Sequence, residues 1–235
     1  MYSYKTGIQV IDEVLEGLEP GTNILILSPS LCGGDLLGYL ISKPLAGEFS
    51  IILSTDRRSI DLDTVMGITD PLKNHIGVID TVTKLSSPEV ADSMRIKYVA
   101  SPSDLTGIGI KFSRMVEEIF RGEFSSNDVE LFPPPIRFYV DSLSTLLMYR
   151  KLEVLYQFLH VMTAKLKKMG ALGIYILNKD SFDQRTIELM KQLMDVVIDI
   201  KEESSNKYIS VKGVPGVSAD WVRYHIENGS IVVES

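Results

Sequence analysis

The segment from Asn23 to Ile41, NILILSPSLCGGDLLGYLI, reads as an apolar strand, a short loop with two glycines and the start of a helix. That order of elements is where a phosphate-binding loop occurs. In its working form, G-x-x-x-x-G-K-[ST], glycines let backbone N–H groups wrap the phosphates, the lysine reaches their oxygens and the hydroxyl holds magnesium. In that register the chain reads Pro29-Ser30-Leu31-Cys32-Gly33-Gly34-Asp35-Leu36, and only Gly34 keeps its type. An acid stands where the lysine would be, and a hydrocarbon replaces the hydroxyl. Attraction to phosphate becomes repulsion, and two unit charges ~4 Å apart interact by ~4 kcal/mol at an effective dielectric constant of ~20. By itself, a strand-to-helix turn with two glycines is a weak signal.

The elements that must position this loop come from hydrophobic periodicity. Apolar runs alternate with amphipathic stretches, the pattern of a mostly parallel sheet flanked by helices. Strands are predicted at Asn23–Leu27, Phe49–Ser54, Ile76–Asp80, Ile96–Ala100, Ile136–Asp141 and Leu172–Leu177. Four more, Val196–Lys201, Tyr208–Val211, Val222–Glu227 and Ser230–Val233, follow one another without helices between them, and Asn228-Gly229 is a two-residue hairpin signal. These four predict an antiparallel extension of the sheet. The clearest helices are Leu105–Arg121 and Leu152–Met169, the second with Leu152, Leu155, Leu159, Met162 and Leu166 at helical spacing. His160 lies beside that stripe and is expected in the core or at its boundary. Lys165, Lys167 and Lys168 suit the last turn of the helix before Gly170 and are expected to be solvated. Ser125-Ser126-Asn127-Asp128 and Pro133-Pro134-Pro135 mark a loop before the fifth strand.

Composition limits the function classes. A hydrophobic fraction of 45% with 23% charged residues over 235 residues is that of a globular protein, expected as one α/β domain over 1–235. No apolar run reaches the ~18–20 residues of a membrane span, and the opening MYSYKTG lacks a signal-peptide pattern, so a cytoplasmic protein is expected. The single cysteine, Cys32, allows no internal disulfide; a small apolar filler of the loop is its expected role. A formal charge of -7 works against nucleic-acid binding, where Lys and Arg supply most of the affinity.

Four stretches carry a resemblance. TGIQVIDEVLEGLEPGTNILIL, Thr6 to Leu27, resembles the lead into the loop of KaiC-like and RadA-like proteins. IILSTDRRS, Ile51 to Ser59, sits where that family has a strand ending in two acids; RFYVDSLSTLL, Arg137 to Leu147, resembles its Walker B strand and D-S-L-S; FLHVMTAKLKKMGALGIYIL, Phe158 to Leu177, resembles the following helix and strand. The chain thus resembles the RecA superfamily, nearest to KaiC-like domains and archaeal relatives such as the archaellum accessory ATPase and RadA paralogues. The resemblance implies a RecA-like P-loop NTPase core: a mostly parallel central sheet extended by C-terminal antiparallel strands, with helices on both faces. It also implies a nucleotide at the carboxyl ends of the strands, magnesium held through Asp141, a catalytic base in the acidic pair, and often a ring in which neighbours complete each other's sites.

The residues present depart from those roles. The acidic pair reads Asp56-Arg57, so the second acid is a base and general-base chemistry has no occupant there. The late Lys and Arg that reach a neighbour's nucleotide fall in VKGVPG, Val211 to Gly216, where Lys212 is one position out of register and Pro215 takes the Arg position. Asp35 and Arg57 are expected to replace phosphate and metal with an internal ion pair, Asp141 being a further partner; the alternative is drift, with both side chains in water. The expected function is a non-hydrolysing, KaiC-like regulatory or scaffold protein in signal transduction, acting on a protein partner or through self-association and needing no cofactor. One alternative is a weakly active ATPase using ATP and magnesium through Asp141. The other is a RadA-paralogue-like DNA repair accessory.

Overall fold

Asn23–Ser28 (β1) is buried along its whole length, as an unbroken apolar run dictates for a strand covered on both faces. The other strands are β2 (Phe49–Ser54), β3 (Ile76–Asp80), β4 (Ile96–Tyr98), β5 (Ile136–Val140), β6 (Leu172–Asn178), β7 (Val196–Glu203), β8 (Asn206–Lys212), β9 (Val222–Glu227) and β10 (Ser230–Val233). The main helices are α1 (Gly34–Ser42), α2 (Ser59–Val65), α3 (Leu105–Phe120), α4 (Leu143–Tyr149), α5 (Leu152–Met169) and α6 (Gln184–Lys191). The computed structural model describes residues 2–8, 11–13, 17–65, 67, 70–124, 133–227 and 230–234. The expected hairpin turn at Asn228-Gly229 and the loop at Ser125–Asp128 lie outside them.

Two compact units are formed, Met1–Ile41 with Leu159–Ser235, and Ser42–Phe158. In the first, β1 runs parallel to β6 on one side and to β7 on the other, with Ile24 opposite Ile174 and Val196. Antiparallel pairing then joins β7 to β8, β8 to β9 and β9 to β10. The expectation that the antiparallel extension begins with Val196 is corrected here: β7 is parallel to β1. The reason is α6, opened by Asp183, whose carboxylate accepts the Thr186 N–H at 2.7 Å; a helical crossover returns the chain in the parallel sense. In the second unit β5, β2, β3 and β4 lie side by side, all parallel.

Packing follows the predicted stripes. Leu155, Leu159, Met162 and Leu166 of α5 are buried, each such side chain contributing ~1.5–3 kcal/mol. His160 is exposed, contrary to expectation, because the helix turns it past the edge of that stripe. On α3, capped by Asp104 accepting the Gly107 N–H at 2.8 Å, Ile108, Phe112, Met115 and Ile119 are buried, and Phe112 meets Phe138 of β5 edge-on at 4.7 Å. Arg137 and Glu48 form a bidentate pair, both nearly inaccessible to water. Near the amino terminus the Asp12 carboxylate accepts the N–H groups of Thr6 and Gly7, each at 2.8 Å, which is what the Thr-Gly-Ile opening does structurally. Among the described residues no helix is long and apolar enough to cross a membrane.

Candidate functional site

In the first unit, β1 delivers the chain to Pro29 and α1 takes it up at Gly34. Ser28 Oγ donates to the Pro29 carbonyl at 3.0 Å, and Asn178 Nδ2 donates to Ser30 Oγ at 2.7 Å. Gly33 has φ +84°, and a Cβ on Gly34 would fall inside the Ser28 side chain, so the one surviving signature residue is required by the close approach of helix to strand. Leu31 sits at φ +62° with its side chain wholly in water. Asp35 occupies the first turn of α1, where the positive end of the helix favours an acid. Leu36, at the magnesium-hydroxyl position, is exposed.

Cys32 is buried, as expected of a filler. Its thiol lies 3.4 Å from Glu202 Oε2, and burial first, then Glu202, pushes its pKa up, away from a reactive thiolate. Glu202 of β7 faces Lys207 of β8, which faces Tyr224 of β9, so these three side chains form a cross-strand row. Lys207 Nζ is 3.1 Å from where a Gly33 Cβ would stand. Tyr224 is buried, and its hydroxyl has no hydrogen-bond partner among the described residues. Burial, with Cys32 and Glu202 adding to it, pushes the phenol up to about 12.

In the second unit the carboxylates sit at strand ends. Asp141, following β5, is buried and meets three donors: Thr55 N–H at 2.9 Å and Thr55 Oγ1 at 2.6 Å on Oδ1, and Ser54 Oγ at 2.9 Å on Oδ2. The Ser54 hydroxyl has one proton and a second acceptor, the Arg57 carbonyl at 2.8 Å. A neutral Asp141 resolves the count by donating from Oδ2 to Ser54, which then donates to Arg57. Burial, and after it the Asp56 charge, raise Asp141 to about 8, against the opposing hydrogen bonds from Thr55. Asp56 and Arg57 are both partly in water, their charged groups 3.9 Å apart. Ser142 caps α4 by accepting the Thr145 N–H at 3.0 Å.

Asp80 of β3 is the counterexample. Burial pushes it up too, yet hydrogen bonds from Thr83 and Ser59 outweigh burial and hold it below the usual carboxylate range. It accepts the N–H groups of Ser59, Val82 and Thr83 as well as the Thr83 hydroxyl.

The Asp141 oxygens are occupied by Ser54 and Thr55, and the loop hydroxyl is Leu36. Among the described residues no group of three or more His, Cys, Asp or Glu side chains could hold a metal ion. Ser54, Thr55, Glu202, Lys207 and Tyr224 are participants that the motif reading missed. Ser54 and Thr55 stand in the quoted IILSTDRRS stretch; the other three become neighbours only through strand register.

Residues 21–200 match a family described as "Family of unknown function (DUF7504)". No curated protein sequence matches the chain. Among solved structures, the KaiC-like protein PH0186 from the hyperthermophilic archaeon Pyrococcus horikoshii OT3 is similar, with a TM-score of 0.66 and 18% identity over 100% of this chain and 99% of that chain. This likeness shows the fold alone: a KaiC-like α/β fold whose mixed sheet is mostly parallel at its core and antiparallel in its C-terminal strands.

Proposed function

Because the chain belongs to the family of unknown function DUF7504 and has a KaiC-like fold, we propose that it is a regulatory or scaffold protein that does not hydrolyse ATP. The observation that carries this reading is the closure of Asp141 by Ser54 and Thr55. The Asp141 oxygens already have partners in Ser54 and Thr55, and Arg57 cannot accept a proton from an attacking water. Asp35 adds repulsion where a γ-phosphate would need a cation. What remains is a surface that works by contact, with a protein partner or a second copy, in a signalling role.

Titration calorimetry with ATP, with and without magnesium, alongside a phosphate-release assay, tests the reading. No turnover and no gain in affinity from magnesium are expected. Magnesium-dependent binding of micromolar strength, or phosphate release that disappears in Asp141→Ala, overturns it in favour of a weak ATPase. Fluorescence anisotropy with labelled DNA covers the repair accessory: submicromolar binding at physiological salt would put that role first, against the charge of -7.

A further inference from the structure

At the amino ends of β1 and β7, the opposite end of β1 from the loop, the first unit holds a cavity of about 480 Å³. Its wall is apolar where Leu18, Val196 and Val214 line it, and all three are buried. Lys167, in the last turn of α5, and Asp195, the residue before β7, line it too and stay partly open to water. The Lys167 ammonium donates to Asp195 Oδ1 at 2.9 Å, and the other carboxylate oxygen accepts the Asn23 N–H at 2.9 Å. A Cβ on Gly213 would fall on the Asp195 carbonyl oxygen, and one on Gly21 would press on that of Lys167. The main chain beneath both charged residues is therefore fixed, and the cavity is formed before any occupant arrives.

The ion pair is not saturated. Among the described residues Lys167 spends one of its three N–H donors, on Asp195 Oδ1, which keeps a second acceptor site. Unlike charges in contact disfavour a ligand of one sign. An anion meets Asp195, a cation meets Lys167, and a purely apolar molecule strips water from both without return. A ligand with both charges side by side instead completes a square of alternating sign. The 2.9 Å between Nζ and Oδ1 matches an ammonium and a carboxylate carried on one carbon, and the buried wall accepts an aliphatic side chain. We propose that this cavity binds a free α-amino acid with an aliphatic side chain, its carboxylate on Lys167, its ammonium on Asp195 Oδ1 and its side chain against Leu18, Val196 and Val214. A dissociation constant on the order of millimolar is expected, because the ion pair is partly in water and screened by salt.

L-leucine titrated into isotope-labelled protein, followed by amide NMR, tests the site. Saturable shifts centred on residues 18–22, 167, 195–196 and 213–215 are expected. Glycine, isocaproate and isoamylamine lack in turn the side chain, the ammonium and the carboxylate, and each should bind about fivefold more weakly or worse. Lys167→Met should weaken leucine binding about tenfold, and so should Asp195→Asn, which keeps an acceptor for the Asn23 N–H. Spectra of the variants without leucine, unchanged away from the cavity, establish that they fold; Lys167→Met, at a side chain mostly in water, carries the test should Asp195→Asn unfold the chain. No saturable shift, equal binding of isocaproate or isoamylamine, tighter binding of leucyl-leucine, or shifts that survive Lys167→Met unaltered overturn the proposal. The proposed lack of ATP turnover is read separately, from magnesium dependence and phosphate release.

Discussion

The loop end of the first unit and the carboxylate end of the second solve opposite problems. At the loop, backbone N–H groups and the buried Tyr224 phenol have no acceptor among the described residues. Around Asp141 the Thr55 amide and the Ser54 and Thr55 hydroxyls already hydrogen-bond the carboxyl. The difference lies in what is at hand. A strand end carrying Ser54 and Thr55 can satisfy an acid locally, whereas the first amides of a helix need an acceptor from elsewhere. One region is therefore closed on itself and the other is left open.

The largest expected effect tests the closed region through pH. Burial, and after it the Asp56 charge, push Asp141 up to about 8 in the folded protein from an ordinary value of 3.8. The folded state thus holds a proton that the unfolded chain releases. Its contribution to stability is complete below about pH 4, falls as pH rises toward about 8, and is constant above that. Asp141→Asn cannot ionise, so its stability relative to the native chain should climb with pH by several kcal/mol across the window. Chemical denaturation from acid to mildly alkaline pH measures this. Parallel profiles for the two proteins would mean that Asp141 is an ordinary carboxylate and that the closed region is open after all.

Next in size is a pair of hydroxyl deletions with opposite signs. Thr55→Val removes the 2.6 Å donor to Asp141 and should cost ~1–3 kcal/mol in urea melts at neutral pH. Tyr224→Phe removes a hydroxyl that has no partner among the described residues and should be neutral or stabilising by up to ~1 kcal/mol. Equal losses in the two variants would erase the contrast between the regions. A gain from Tyr224→Phe would sharpen it.

Much of the fold was legible in the sequence because parallel strands advertise themselves as unbroken apolar runs. The bounds of β2, β3, β9, β10 and α5 agree with the predicted ones. The direction of β7 was not legible, because α6, QRTIELMK, is too polar and too short to stand out as a crossover helix. In the loop, spacing from β1 located Pro29 to Leu36, and the burial of Cys32 was expected. Lys207 and Tyr224 were invisible because residues far apart in the chain meet Gly33 and Cys32 only once β7, β8 and β9 are in register. Asp141 was located but not its protonation, which depends on burial and on Asp56 nearby. Gly34 misled in another way: it matches the phosphate-loop signature, yet Ser28 alone requires a glycine there.

The order of synthesis follows from the connectivity. All four strands of the unit Ser42–Phe158 lie in one continuous stretch, so a chain leaving the ribosome can pair them as they emerge. β1 is made first, yet its two neighbours, β6 and β7, begin only at Leu172 and Val196. Such distant pairing is slow, because a long loop must close before any contact rewards it. A six-residue apolar strand therefore spends most of translation unpartnered, and in the cell it is the natural substrate for a chaperone that shields extended hydrophobic segments.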